Sequence, residues 1–99
     1  MYAMVTRRTM NPARVQETRE RAASEFWPKL QQAPGFVSFS LIEGEDGVNT
    51  SVVLWESKAQ ADAFHGEMAG WSRTLEEEFG HRTETRGGGE VVTHLTART

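Results

Sequence analysis

Two side chains of this 99-residue chain are candidates for acid-base or electrostatic chemistry, His65 and Arg7. His65 is the candidate general base, because an imidazole titrates near neutral pH and can take a proton from a phenol. The alternative for His65 is a position facing solvent. Arg7 has the parity of Ala3 and Val5 in the first predicted strand, so it projects with apolar neighbours. If helices cover that face, Arg7 is suited to hold a phenolate, a carboxylate or a developing oxyanion.

The alternative for Arg7 is an ion pair with a glutamate at the sheet edge.

Large aromatic rings supply the rest of the candidate site. Trp55 ends a predicted strand, and Trp71 lies beside a glycine on the second predicted helix. Together with Phe64 they form a candidate substrate-binding set, because broad rings can stack on a flat ligand. Packing in the core or between protomers is the alternative for the same rings.

Several other kinds of site have no support in the sequence. Cysteine is absent, and the three histidines show no metal-binding spacing. The segment 66–70 has the glycine spacing of a hydrolase nucleophile turn but no serine at its centre. The glycines 87–89 lead into a predicted strand, whereas a phosphate loop leads into a helix. We therefore expect no metal site, no serine nucleophile and no phosphate-binding loop.

Composition indicates the class of protein. The net charge is −3, from 14 acidic and 11 basic residues with interspersed signs, so no basic face is available for nucleic acid. No apolar run approaches the roughly 20 residues of a membrane span, and the first residues lack the pattern of a secretion signal. We expect one domain over residues 1–99 of a soluble, cytoplasmic protein that binds neither nucleic acid nor a membrane.

Hydrophobic spacing predicts the elements that must position these side chains. A first strand covers 2–9, and Asn11-Pro12 then begins a helix of about five turns that Pro28 distorts. Two strands follow at 36–42 and 51–55. The order continues with a capping box at Ser57-Lys58-Ala59-Gln60, a second helix that Gly66 and Gly70 divide, a glycine-rich connection over 82–89 and a last strand over 90–96.

This β-α-β-β-α-β order predicts a ferredoxin-like α+β protomer with an antiparallel sheet. The middle strands carry apolar residues on both faces. In the strand 51–55, Val53 and Trp55 share one face, and Val52 and Leu54 share the other. Two helices cover only one face of a four-stranded sheet, so we expect the other face to meet a second copy of the protein in a homodimer.

The chain resembles the antibiotic biosynthesis monooxygenase superfamily along nearly its whole length. The most distinctive segments are Ala33-Pro34-Gly35-Phe36, before the second strand, and Leu54-Trp55-Glu56-Ser57, at the start of the second helix, with 59–64 continuing the pattern. The resemblance implies a dimeric α+β barrel with a pocket between helices and sheet that accepts flat hydrophobic compounds. Some relatives oxidise polycyclic phenols or quinols with dioxygen and without metal or flavin, so the resemblance implies that no cofactor is needed.

The chain departs from this family at its functional positions. Relatives that degrade haem use an asparagine on the first strand and a tryptophan and a histidine on the second helix, where this chain has Arg7, Phe64 and a position near Thr74. Many other members place a histidine nine residues after the tryptophan matching Trp55, and this chain has His65 one step later, rotated by about 100°. Haem degradation is disfavoured.

Two functions follow from the sequence. The first is a cofactor-independent monooxygenase for a flat aromatic or quinol-type molecule, in which Arg7 holds a substrate anion, His65 is the base, and the aromatic set binds the rings. The second is a non-catalytic dimeric module that binds an apolar metabolite, which the missing family histidine and asparagine favour.

Overall fold

A computed structural model of the chain describes residues 1–98 as one four-stranded antiparallel sheet with helices packed on one of its faces. The strand order is β2-β3-β1-β4, and all three neighbouring pairs are antiparallel. This arrangement confirms the predicted ferredoxin-like α+β fold. The elements are β1 (Tyr2–Thr9), a 3-10 turn (Pro12–Arg14), α1 (Val15–Glu25), α2 (Trp27–Gln32), β2 (Phe36–Glu43), β3 (Val48–Trp55), α3 (Lys58–Phe79) and β4 (Arg82–Glu90).

The alternation of side chains along β1 decides which residues face the helices. Tyr2, Met4 and Thr6 are buried beneath the helices, whereas the residues between them are more exposed. Successive side chains of a strand point to opposite faces, so Arg8 shares the covered face and Arg7 lies on the open one. The core on the covered face consists of Tyr2, Met4, Leu30, Val53, Trp55, Ala61, Phe64 and Met68.

The first predicted helix is divided into α1 and α2, as the position of Pro28 indicates. The break falls at Phe26, and Pro28 lies in the first turn of α2, where its missing N–H would have no helical partner. Asn11 begins the preceding 3-10 turn, because its side-chain oxygen accepts a hydrogen bond from the Ala13 N–H at 3.2 Å. The division orients Phe26 and Trp27 toward the space between helices and sheet.

The second helix is continuous, so the prediction that Gly66 and Gly70 divide it is wrong. Each glycine costs about 1 kcal/mol relative to alanine. The buried side chains Phe64, Met68 and Leu75 hold the helix against the sheet on both sides of the glycines, and this packing exceeds that cost. The helix begins where the Ser57 hydroxyl oxygen accepts from the Gln60 N–H, which is one half of the predicted capping box, and the Gln60 side-chain oxygen accepts from the Ser57 hydroxyl.

The end of the chain also differs from the prediction, because the expected connection over 82–89 is strand β4 and residues 91–98 have no regular structure. Gly87, Gly88 and Gly89 pair with β1. A β carbon at Gly88 would overlap the Tyr2 hydroxyl, so the tyrosine ring occupies the space of the missing side chain. Strand β4 is stabilised by its backbone pairing with β1 and by the Tyr2 ring. Because β4 itself has almost no apolar side chains, its sequence does not predict a strand.

This packing makes Gly88 and Gly87 unequal although they are adjacent. We expect Gly88→Ala to lower the free energy of unfolding by about 1–3 kcal/mol, because the new methyl group must displace the Tyr2 ring. Gly87→Ala is the matched control, since no atom lies within 4 Å of a β carbon there. Urea denaturation of both variants measures the difference, and equal stabilities would contradict the placement of Tyr2 over Gly88.

Candidate functional site

A cleft of about 120 Å³ lies between the covered face of the sheet and the helices α1 and α3. One part of its wall is apolar and contains the rings of Phe26 and Trp71. These two rings stack with centroids 5.2 Å apart and an angle of 18° between their planes. Trp27 and Phe39 extend the wall, with Phe39 edge-on to Phe26 at 6.4 Å. Such a wall offers a flat ligand parallel and edge contacts.

The floor of the cleft is polar, which the sequence patterns did not indicate. Thr6 of β1 lies opposite Ser51 of β3 and Arg86 of β4, so three neighbouring strands contribute polar side chains side by side. Asn49 continues the row on β3 next to Arg8. A ligand between wall and floor therefore meets rings on one side and hydrogen-bonding groups on the other.

Three arginines line the cleft, and two of them are already paired. Arg8 donates from Nε to Glu76 Oε1 at 2.9 Å, and Arg19 of α1 forms an ion pair with Glu43. Burial of Glu76 opposes its ionisation, but hydrogen bonds from Thr83 and Arg8 outweigh that effect and lower the pKa of this carboxyl.

Arg86 is the third arginine, and it forms no ion pair with any of residues 1–98. It is exposed at the mouth of the cleft, and its charge acts on His65 and Glu76. Because no carboxylate of residues 1–98 lies within ion-pair distance of Arg86, its charge leaves a positive potential at the polar side of the cleft, where an anionic group of a ligand would be held.

His65 lies on α3 at the edge of the cleft and is hydrogen-bonded to the core residue Trp55. The Trp55 Nε1–H donates to His65 Nε2 at 3.2 Å, and Trp55 is fully buried. Burial of the imidazole, together with the positive charge of Arg86, lowers the pKa of His65 below its ordinary value of 6.5. His65 is therefore neutral at pH 7.

The structure brings together some of the predicted site residues and separates others. His65 and Trp71 line the cleft. Phe64 and Trp55 belong to the core behind it, where their rings lie 5.3 Å apart, and neither lines the cleft wall. Their contact with the site is indirect, through His65, whose ring is within 5.6 Å of both.

Arg7 lies on the open face of the sheet and does not line the cleft. Its candidate role required helices over the face that it shares with Ala3 and Val5, and the helices cover the opposite face. Because neighbouring strand residues point in opposite directions, the cleft receives Arg8 instead. The larger apolar residues Tyr2 and Met4 have the parity of Arg8, and their size was the signal for the covered face. Arg86 lies in the segment 82–89 that the sequence predicts to be a connection, so no sequence pattern indicates its place in the cleft.

His81 is also buried, but it joins structural elements and does not line the cleft. Its Nδ1 accepts from the Asn11 N–H at 2.9 Å, and its Nε2 lies 2.6 Å from the Thr18 hydroxyl. That hydroxyl already donates to the backbone oxygen of Arg14, at the end of the 3-10 turn, so His81 Nε2 carries the proton and donates it to the Thr18 oxygen. Burial and the nearby charges of Arg8 and Arg14 lower the pKa of His81, and Glu76 opposes them.

The lowered pKa of His81 makes stability depend on pH. Above the ordinary value of 6.5 the residue is neutral in both states, and below it the unfolded chain takes up a proton that the folded chain resists. We expect the free energy of unfolding to fall as the pH decreases below 6.5. His81→Gln should reduce this slope by up to about 1.4 kcal/mol per pH unit. Urea titrations at several pH values measure the slope, and an unchanged slope in His81→Gln would contradict this account of His81.

Metal-ligating side chains are not clustered: within residues 1–98 no group of three or more His, Asp or Glu is arranged to hold an ion. The helices of this part of the chain are also too short or too polar to cross a membrane.

No profile of a known protein family matches the sequence, and no curated protein sequence matches it. Solved structures do match. SnoaB from Streptomyces nogalater, a cofactor-independent oxygenase, superposes with a TM-score of 0.66 at 22% identity over 97% of each chain. An antibiotic biosynthesis monooxygenase superposes with a TM-score of 0.72 at 13% identity over 94% of this chain and 100% of that one.

The heme-degrader MhuD from Mycobacterium tuberculosis has a TM-score of 0.66 at 19% identity, over 97% of this chain and 100% of its own. At these identities the likeness concerns the fold. The chain therefore has the fold of the antibiotic biosynthesis monooxygenase superfamily, as its resemblance to that family implied.

Proposed function

We propose that this protein is a cofactor-independent monooxygenase acting on a flat aromatic or quinol-type molecule in the cleft between sheet and helices. The observation that carries the proposal is the pairing of a stacked aromatic wall, Phe26 and Trp71, with a cation, Arg86, that has no carboxylate partner among residues 1–98. The fold shared with a cofactor-independent oxygenase supports the same reaction class.

The proposed reaction uses the substrate as its own source of electrons. A polycyclic aromatic ring system that bears a phenol or an enolisable ketone together with a ring CH₂ group loses a proton to solvent water to give a delocalised anion, which reduces dioxygen. One oxygen atom forms a new carbonyl group on a ring CH₂ carbon, and the other leaves with the two hydrogens as water. The electrons and atoms balance without a metal, a flavin or an external reductant.

Each part of the cleft has a role in this proposal. Arg86 stabilises the substrate anion by charge and hydrogen bonding, which replaces the role that the sequence assigned to Arg7. Trp71 and Phe26 hold the rings in one plane. Glu76 and Glu43 neutralise Arg8 and Arg19, so the positive potential is concentrated near Arg86. The aromatic wall contacts one side of the substrate and the polar floor contacts the other, and together they orient the reacting carbon.

We further propose that the protein is a homodimer whose protomers meet through the open faces of their sheets. That face carries Ala3, Val5, Val52 and Leu54, and no helix of the described chain covers it. An antiparallel sheet with one solvated face normally places polar residues there. Val5 is 37% and Ile42 55% exposed in a single protomer, so a second protomer would remove apolar surface from water.

A non-catalytic module that binds an apolar metabolite is the second candidate function. It is favoured by the hydrogen bond from Trp55 to His65, because the imidazole lone pair that a base would use already accepts a hydrogen bond from the indole N–H. Binding without turnover would show itself as quenching of the tryptophan fluorescence by polycyclic phenols under air, with no oxygen consumed. Oxygen consumption by the protein with the same compounds would establish the enzyme and reject the module.

A further inference from the structure

The hydrogen bond between Trp55 and His65 determines which nitrogen of the imidazole carries the proton. An indole N–H can only donate, so His65 Nε2 must accept. A neutral imidazole has one protonated nitrogen, and in His65 that nitrogen is therefore Nδ1. Trp55 is fully buried in the core, so water does not compete for its N–H.

His65 is neutral near pH 7, because its pKa lies below the ordinary value of 6.5. Burial is the main cause of its lowered pKa, and the Arg86 charge acts in the same direction, whereas Asp62 opposes both. Protonation would also place a second N–H against the Trp55 N–H, since both ring nitrogens of an imidazolium are donors. The ring is thus poor as a base, because its lone pair is engaged, and available as a donor through Nδ1.

The Nδ1–H group has no partner within residues 1–98. The one hydrogen bond of the His65 side chain is the bond to Trp55. Among these residues, no side-chain nitrogen or oxygen that is shielded from solvent lacks a partner, so Nδ1 is reached by solvent. His65 lines the cleft together with Arg86 and Trp71, where a ligand would meet this group.

We propose that His65 binds a carbonyl oxygen of the ligand by donating its Nδ1–H, and that Trp55 is the positioning residue that fixes this tautomer. The proposal rests on the ligand site of the proposed function and specifies its substrate class. The ligand is an aromatic compound with a ring ketone or quinone oxygen on the edge that faces α3, in addition to an anionic group near Arg86. His65 then selects the ligand by hydrogen bonding and does not remove its proton.

Nitrogen-15 NMR of the histidine rings tests the tautomer directly. We expect the neutral form of His65 to carry its proton on Nδ1, with Nε2 unprotonated. Trp55→Phe keeps an aromatic ring at this position but removes the N–H donor, and the neutral His65 population should shift toward the Nε2-protonated tautomer that is ordinary for histidine. If wild-type His65 is protonated on Nε2 at pH 7.5, the proposal is overturned. This measurement on the wild-type protein decides the matter even if Trp55→Phe fails to fold.

A matched pair of probes tests the hydrogen bond to the ligand. Anthraquinone-2-sulfonate and anthracene-2-sulfonate share a flat ring system and an anionic group, and only the first has carbonyl oxygens. We expect wild-type protein to bind the quinone more tightly by about 2- to 10-fold, the net effect of one hydrogen bond. His65→Gln should abolish this preference, because it lacks a donor at the Nδ1 position, and His65→Asn, whose amide nitrogen replaces Nδ1, should retain it.

The outcomes separate this proposal from the proposed function. Equal binding of the two probes by wild-type protein would overturn the role of His65 and leave the aromatic cleft intact. Retained preference in His65→Gln would also overturn it. Failure of the wild-type protein to bind either probe would contradict the ligand site itself, and with it both proposals.

Discussion

Replacing Arg86 by alanine is expected to lower turnover by about 100-fold or more with little effect on stability. Arg86 is exposed at the mouth of the cleft and takes part in no ion pair with residues 1–98, so its loss leaves no buried carboxylate without a partner. A single donor to a developing oxyanion is worth about 10²–10³ in rate. The measurement is the rate of oxygen consumption with a polycyclic phenol, alongside a urea denaturation curve.

Arg7→Ala is the informative comparison. Arg7 also lies in the sheet and has no ion pair within the described chain, but it projects from the open face. The geometry predicts that turnover survives in this variant. The opposite pattern, a loss in Arg7→Ala with Arg86→Ala unaffected, would restore the assignment made from the sequence and would place the reacting site on the open face.

Replacing Val5 by aspartate is expected to convert the proposed homodimer into a monomer. Val5 pairs with Val52 on one side and Gly87 on the other, which places it at the centre of the open face. A carboxylate without a partner is costly to bury between two protomers, and the twofold symmetry of such an interface would introduce two of them. We expect at least a 1,000-fold weaker association, measured by gel filtration with light scattering.

Ala23→Asp on the exposed side of α1 is the matched control and should leave the mass unchanged. A wild-type protein that is monomeric at micromolar concentration would contradict the dimer. A Val5→Asp protein that remains dimeric would show that the protomers meet through another surface.

The order of elements could be predicted from the sequence because each helix has a local start signal. Asn11 and Ser57 both cap helical segments as their residue types indicate, and Pro28 divides α1 from α2. Local chemistry of this kind acts within a few residues and does not depend on the tertiary structure.

The candidate site was less predictable, because its composition depends on contacts between distant residues. Choosing between Arg7 and Arg8 required knowing which face of β1 the helices cover. Strand β4 could not be recognised from Gly87 to Gly89, since its pairing with β1 and the Tyr2 ring stabilise it. The hydrogen bond from Trp55 to His65 joins the end of a strand to the second turn of a helix, and no periodicity indicates it.

The most direct test of the proposed function is oxygen uptake by the purified, metal-stripped protein with a panel of polycyclic phenols and hydroquinones. Spontaneous oxidation and the Arg86→Ala rate are subtracted. We predict protein-dependent uptake, with one atom of labelled dioxygen incorporated into the product. A folded protein that binds these compounds and consumes no oxygen across the panel would contradict the monooxygenase and identify the protein as a binding module.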